Sequence, residues 1–494
     1  MKKKYQFLSV VINLLGIALV PANLFWIYAP EYVTIIFAVL MVAAFVLYIV
    51  KGNGKRRSKI LLGVFTLLSA SITLFGAYCN PYWNSIVFKG YFYSKDYNYV
   101  LTYEEAKEDL DYFMHYLEKD HPMFFEGMPK EVEEKYQQAV EELANANQIN
   151  VTMLHQKMQN IASTLKDAHT YSHGYYEDVF YLKWIPSQRE KGQRLIKVEG
   201  MELAQLLEQK SDLYCYELES WGIMRMKQDL SDPQGMYFLG MDLEKGVSYT
   251  FEDKEGNEET VLYTTEDFVT WEEYVAFNQI EDNESENEPF VYYTIDKEKS
   301  LAVLTLESCN YNKEYRNCLK ELFTEVKAQK IENVAVDIRD NGGGNSLVVN
   351  EFMKYLDVDS YKTETSEWRL GFFNLTLGDG ITENNKYSDL TFTGNLYCLT
   401  SQGSFSSAMM FAEYIKANRL GTLIGEAPGN TPTSYGDIAV FRMPNSGIYV
   451  QMSTKRFYQA DTEETENIVA PDVFCESEDA MEKLIQIIAP TDEK

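Results

Sequence analysis

The stretch Ser401–Glu426, SQGSFSSAMMFAEYIKANRLGTLIGE, follows an apolar run, NLYCLT (395–400), and passes into residues at helical spacing before a second apolar run, GTLIGEA. It reads as strand, turn, helix, strand. Three serines, Ser404, Ser406 and Ser407, crowd the turn. Serine is a preferred helix cap. The start of a helix also offers free backbone N–H groups and the positive end of its dipole, as a nucleophile and its oxyanion need. Ser404 or Ser406 is therefore a cap, or Ser406 is a nucleophile.

Working outward, the alternation continues. SLAVLTLES reads as a strand, EYRNCLKELFTEVKAQK as an amphipathic helix, NVAVDIRDNGGG as a buried strand ending in three glycines, and VVNEFMKYL as a helix. Strands alternating with helices predict an α/β core with a largely parallel sheet over 291–494. The glycines allow close backbone approach and unusual φ, so the loop either aims an N–H at a developing oxyanion or is only a tight turn. No GK[ST] follows them, which excludes a phosphate loop.

Upstream, 80–174 reads as a helical segment, with Thr102 as an N-cap and a stop at His121-Pro122. Residues 175–290 are rich in Tyr, Phe and turn signals and read as a β-rich domain. EDNESENEP (281–289) reads as a linker or loop tip.

The first 79 residues differ in kind. Three apolar runs, roughly Phe7–Tyr28, Tyr32–Val50 and Ile60–Ala77, each approach the length of a membrane-spanning helix. The head holds eight basic residues and one acid, while the whole chain of 494 residues carries a net charge of −29. That balance argues against nucleic acid. The basic N-terminus, MKKK, and the basic loop KGNGKRRSK are expected to stay inside. The expectation is a multi-pass anchor in the cell membrane (1–79), with everything after the third span outside the cytoplasm. No charge lies within the spans, which speaks for an anchor and against transport. The six cysteines show no metal-like spacing. Cys309 and Cys318 are a pair the sequence leaves undecided.

The segments VAVDIRDNGGG (334–344), LTSQGSFSSAMMFAEYIKANRLGTLIGEAPGNTPTSYGD (399–437) and STKRFYQADTEETENIVAPD (453–472) resemble, in order and spacing, the C-terminal processing (tail-specific) peptidases of family S41, whose core the tricorn-like branch shares. STLKDAHTY (163–171) is similar to the family's L-x-D-x-H-T segment. The resemblance implies a ClpP/crotonase-like α/β core and a peptide or protein substrate, with no metal or cofactor. It places the nucleophile on Ser406 and the oxyanion donors on the N–H of Ser407 and of Gly343 or Gly344.

The chain also departs from the family. Thr431 stands where the processing peptidases have a lysine base, and Met409 where an acid usually follows SSA. The tricorn-like branch uses a histidine on the segment that holds His169, which makes His169 the candidate base. Glu466 or Glu464 is the candidate assisting carboxylate. Residues 190–265 echo a PDZ turn and helix but lack the glycine-rich carboxylate-binding loop, so the middle domain is a degenerate PDZ or another β-rich fold. His169 and His173, at i, i+4 with Asp167 nearby, would suit zinc if helical, but no third ligand is evident. The alternative function is a catalytically inactive, peptide-binding relative.

Overall fold

The computed structural model describes residues 3–24, 31–83, 85, 92–177, 179–182, 193–277 and 289–489. The apolar runs form α1 (Lys3–Ala22), α2 (Glu31–Lys51) and α3 (Arg56–Cys79), each long and apolar enough to cross a membrane. Small and polar residues let them approach: Asn13 Nδ2 on α1 donates to Thr66 Oγ1 on α3 at 3.2 Å. The end of the first expected span, residues 25–28, lies outside the described residues. So does the expected linker, apart from its last residue.

The helix α4 (Tyr103–Asp120) begins at Thr102, whose hydroxyl and Glu105 form a reciprocal capping box. It ends at His121, before the proline. With the helices Lys130–Asn145 and Val151–Ala162 it buries an apolar face that includes Leu110, Phe113, Leu154 and Ile161. The partners of that face come from far away in sequence. Phe441, Val450 and Met452 on the strands Ser434–Arg442 and Tyr449–Tyr458, with Ile448 just before the second, complete the same cluster. The helical segment and the C-terminal core thus share one interior.

The core itself carries a six-stranded sheet in the order Val291–Asp296, Leu301–Leu306, Asn333–Asp337, Asn395–Thr400, Thr422–Gly425, Val473–Phe474. Only the first pairing is antiparallel, so the sheet is the largely parallel one expected. A second, antiparallel sheet joins Phe373–Leu377, Thr365–Leu370, Tyr449–Tyr458 and Ser434–Arg442, and Tyr171–His173 adds to it beside Tyr449–Gln451. That last pairing carries the upstream histidine segment to the C-terminal core.

The middle segment is a four-stranded antiparallel sheet, but it also holds the helices Leu203–Gln209, Glu219–Asp229, Pro233–Phe238 and Trp271–Phe277. The first of them lies within the turn-and-helix echo of 190–265; the others are short and sit in an aromatic, turn-rich stretch that gives no helical period. Leu206, Leu207 and Met226 from two of these helices pack with Val247, Tyr249 and Phe251 of the sheet. Cys309 and Cys318 are not bonded to each other; all six thiols are free.

Candidate active site

The strand Asn395–Thr400 is buried almost throughout, and the chain turns at its end into the helix Ser407–Ala417. The three serines of the turn have different fates. Ser404 is fully buried; its hydroxyl donates to Ile338 O at 2.7 Å and accepts from Ser401 N–H. Ser407 Oγ donates to Gly344 O at 2.9 Å. Ser406 makes no side-chain cap and sits at φ 55°, ψ −121°. A non-glycine residue there is strained, and such strain gathers at functional sites. Asn430 holds it in place, its Oδ1 accepting the Ser406 N–H at 2.6 Å. Ser406 stands at the N-cap position and its carbonyl accepts the Met410 N–H, but neither its hydroxyl nor that of Ser404 caps the helix.

The glycine loop runs alongside. Gly343 has φ +101°, and a Cβ on it would stand 2.7 Å from both Phe405 O and Ser406 Cβ. No other residue fits. Its N–H, however, donates to Asn341 Oδ1 at 2.8 Å. Asn341 is fully buried and also takes the Phe405 N–H on its carbonyl. The N–H of Gly343, one of the expected oxyanion donors, is thus occupied within its own loop. The N–H groups of Gly344 and Ser407 have no protein partner among the described residues, and both residues line a cavity of about 420 Å³ with Ser406.

His169 lines the same cavity. It is 6 % exposed, and its ring lies 4.5 Å from that of Phe405, the neighbour of Ser406. The loop carrying it is set by Asp167, whose Oδ1 accepts the His169 N–H at 2.9 Å. Asp167 Oδ2 accepts from Thr170 Oγ1 and from His121 Nε2 at 3.1 Å. His121 Nδ1 accepts the Met123 N–H, which leaves the proton on Nε2. His169 Nδ1 stands 3.9 Å from Asp167 Oδ1, and both ring nitrogens are buried without a partner.

The charges follow from this packing. Burial lowers the His169 pKa, opposed by the Asp167 charge, so the imidazole is a neutral acceptor near pH 7. Burial alone would raise Asp167; the bonds and charges of His121, His169 and Thr170 overcome it and hold the carboxyl down at about 2. Glu217, from the middle segment, is pushed up to about 8 by burial and by Asp167. Its Oε1 accepts the Ala168 N–H at 3.1 Å and its Oε2 has no partner. Asp167, His169 and Glu217 each bring a donor atom within 4.8 Å of the others, and could together hold a cation.

The other expected residues are elsewhere. Tyr171–His173 is a strand, so His169 and His173 do not share a helix face. His173 lines a different cavity, of about 390 Å³, with His155. Glu464 and Glu466 are exposed on the loop after Tyr458 and do not line the cavity that holds Ser406; Glu464 Oε1 accepts the N–H groups of Thr465 and Glu466. Thr431 is buried and donates to Thr433 O.

Two carboxyls that the sequence reading missed do line the cavity. Glu413 lies seven residues after Ser406, one helix face along, and that spacing was a usable signal. Glu364 gave no local signal. Burial raises Glu413 to about 8 and Glu364 to about 7. Glu217 gave none either, because a separate segment brings it in.

Residues 300–474 match the model of peptidase family S41. The fold is similar to that of mature CPAF, at TM-score 0.57 and 12% identity, over 78% of this chain and 97% of that one. CPAF complexed with lactacystin gives TM-score 0.55 at 12% identity over the same shares. The photosystem II D1 C-terminal processing protease aligns at TM-score 0.43 and 14% identity, over 78% of this chain and 98% of that one. No curated protein matches the chain.

Proposed function

We propose that this chain, an S41 peptidase by its residues 300–474, is a membrane-anchored serine peptidase that cleaves peptide bonds outside the cytoplasm through Ser406. One observation carries the reading. Ser406 is held at positive φ with no cap bond, at the mouth of a helix, in a cavity shared with a buried, unpaired imidazole.

In this mechanism Ser406 Oγ attacks the peptide carbonyl as His169 Nε2 takes its proton. The oxyanion is met by the N–H groups of Gly344 and Ser407, in place of the Gly343 donor. The imidazolium then protonates the leaving amine, and the C–N bond breaks. Water attacks the acyl-serine, giving its proton to His169, and the peptide acid leaves as Ser406 regains a hydrogen. Asp167 stabilises the imidazolium through Nδ1, the part first assigned to Glu466 or Glu464. The cavity edge carries Lys455, paired with Asp437 at 2.6 Å.

The second reading, a peptide binder without catalysis, is favoured by one distance. At 3.9 Å, Nδ1 and Asp167 Oδ1 are too far apart to hydrogen-bond. Labelling by a fluorophosphonate probe, with Ser406→Ala and His169→Ala beside wild type, separates the two. Loss of labelling in both variants supports the peptidase. Labelling that persists in His169→Ala refutes the base assignment.

A further inference from the structure

The hairpin Thr365–Leu377 ends in a two-residue turn, Gly371-Phe372, with Leu370 paired to Phe373. Its tip is the opposite of what water favours. Phe372 is 67 % exposed and Phe373 56 %. The exposed rings are not alone. Phe372 stacks on Phe75 at 6.4 Å and on Tyr78 at 5.8 Å, and Phe373 meets Phe75 edge-on at 6.3 Å. Phe75 and Tyr78 are in the last turns of α3. Gly371, at φ +59°, lies so close to Cys79 that a Cβ would stand 3.1 Å from its Cα.

We propose that this hairpin tip lies in the lipid interface beside α3 and fixes the catalytic cavity within about 20 Å of the bilayer, so that the peptides cleaved are membrane-proximal stretches of other membrane-embedded or lipid-anchored chains. The first half rests on α3 crossing the membrane, the second also on the peptidase reading. A helix of 24 residues is about 36 Å long against a hydrocarbon core of about 30 Å, so its last turn reaches the interface. Rings in contact with Phe75 share its depth, where aromatic side chains gather.

The height is passed to the active site through one strand. Trp368 packs on Tyr82 at 6.4 Å, just after α3, and Arg369 donates to His121 O at 3.0 Å. Lys119 lies 5.6 Å over the Tyr78 ring. At the other end of the strand, Glu364 and Ser366 line the catalytic cavity. From Ser366 to Phe372 the chain climbs about 3.3 Å per residue, or about 20 Å. A substrate leaving the bilayer needs about six extended residues to reach Ser406.

The full chain in phosphatidylcholine nanodiscs tests this. Phe372→Trp is compared with wild type in discs with and without brominated phosphatidylcholine. The emission that the variant adds should fall at least twofold with bromine; unquenched emission overturns the placement. For the substrate, a casein-derived fluorogenic peptide is presented with and without a palmitoyl chain. Phe372→Asp/Phe373→Asp should lose about tenfold on the lipidated peptide and under twofold on the free one. Equal loss on both, or on neither, overturns the substrate class. If wild type cleaves neither peptide, the substrate class falls with the peptidase reading, while quenching still decides where the hairpin sits.

Discussion

Two cavities meet at residues 168–173, and each holds a buried, neutral imidazole. In the first, His169 faces an ionised Asp167 and shares its space with Ser406. In the second, His155 donates to Ser172 O, and burial holds His155 and His173 down at about 4. The aspartates there are already engaged, Asp229 by the Tyr214 hydroxyl and Asp232 by the Gly235 N–H. Burial alone thus makes a neutral histidine. What sets His169 apart from the other two is an ionised carboxylate 3.9 Å from its Nδ1 and a strained serine in the same cavity.

The largest effect that would test this contrast is loss of the hydroxyl. Ser406→Ala should lower kcat/KM by about 10³-fold or more with the fold intact by circular dichroism. His173→Phe should leave kcat/KM within about threefold; equal loss would erase the distinction between the cavities. Gly343→Ala comes next, because its Cβ has no room beside Ser406. It should lower kcat by about 10²-fold, or unfold the turn by about 2–4 kcal/mol in a denaturant titration.

The two cavities should also unfold in different pH windows. His155 and His173 have folded pKa values below their unfolded 6.5, so their stability is present above 6.5 and lost as pH falls toward 4. Asp167, lowered from 3.8 to about 2, contributes fully above about 3.8 and loses that contribution as pH falls from there toward 2. Glu413, raised to about 8, acts in reverse: its contribution is full below about 4.5 and lost as pH rises through 8. Melting temperatures from pH 3 to 9 should show both limbs. His155→Gln should flatten the acid limb and Glu413→Gln the alkaline one. The smallest effect is at Thr431, whose hydroxyl serves one carbonyl. Thr431→Val should cost about 1 kcal/mol of stability and change kcat/KM under twofold. A large kinetic loss there would give that position the catalytic part held by lysine in the processing peptidases.

The local chemistry was legible wherever neighbours in sequence are neighbours in space. The strand–turn–helix around Ser406, the cap at Thr102 and the three apolar helices all follow from periodicity and short-range hydrogen bonding. Glu464 and Glu466 show the limit. They lie within STKRFYQADTEETENIVAPD, one of the segments that carry the resemblance, yet their loop faces solvent, while Asp167, two residues before His169, stands beside its ring. The serine turn shows the same limit: Ser404 and Ser406 carry the same side chain, and burial, the bond to Ile338 O and the positive φ of Ser406 give them different surroundings.

The sequence by itself determined the α/β alternation and the apolar head, because these rest on pattern, and its resemblance to a family named Ser406 and His169 as candidates. Only the tertiary structure decided what surrounds them. A strand pairing between Tyr171–His173 and Tyr449–Gln451 joins the histidine segment to the core, and Glu217 arrives from the middle segment to take the Ala168 N–H. Such contacts join residues tens to hundreds of positions apart. Burial and hydrogen-bond competition settle them only once the chain has closed on itself.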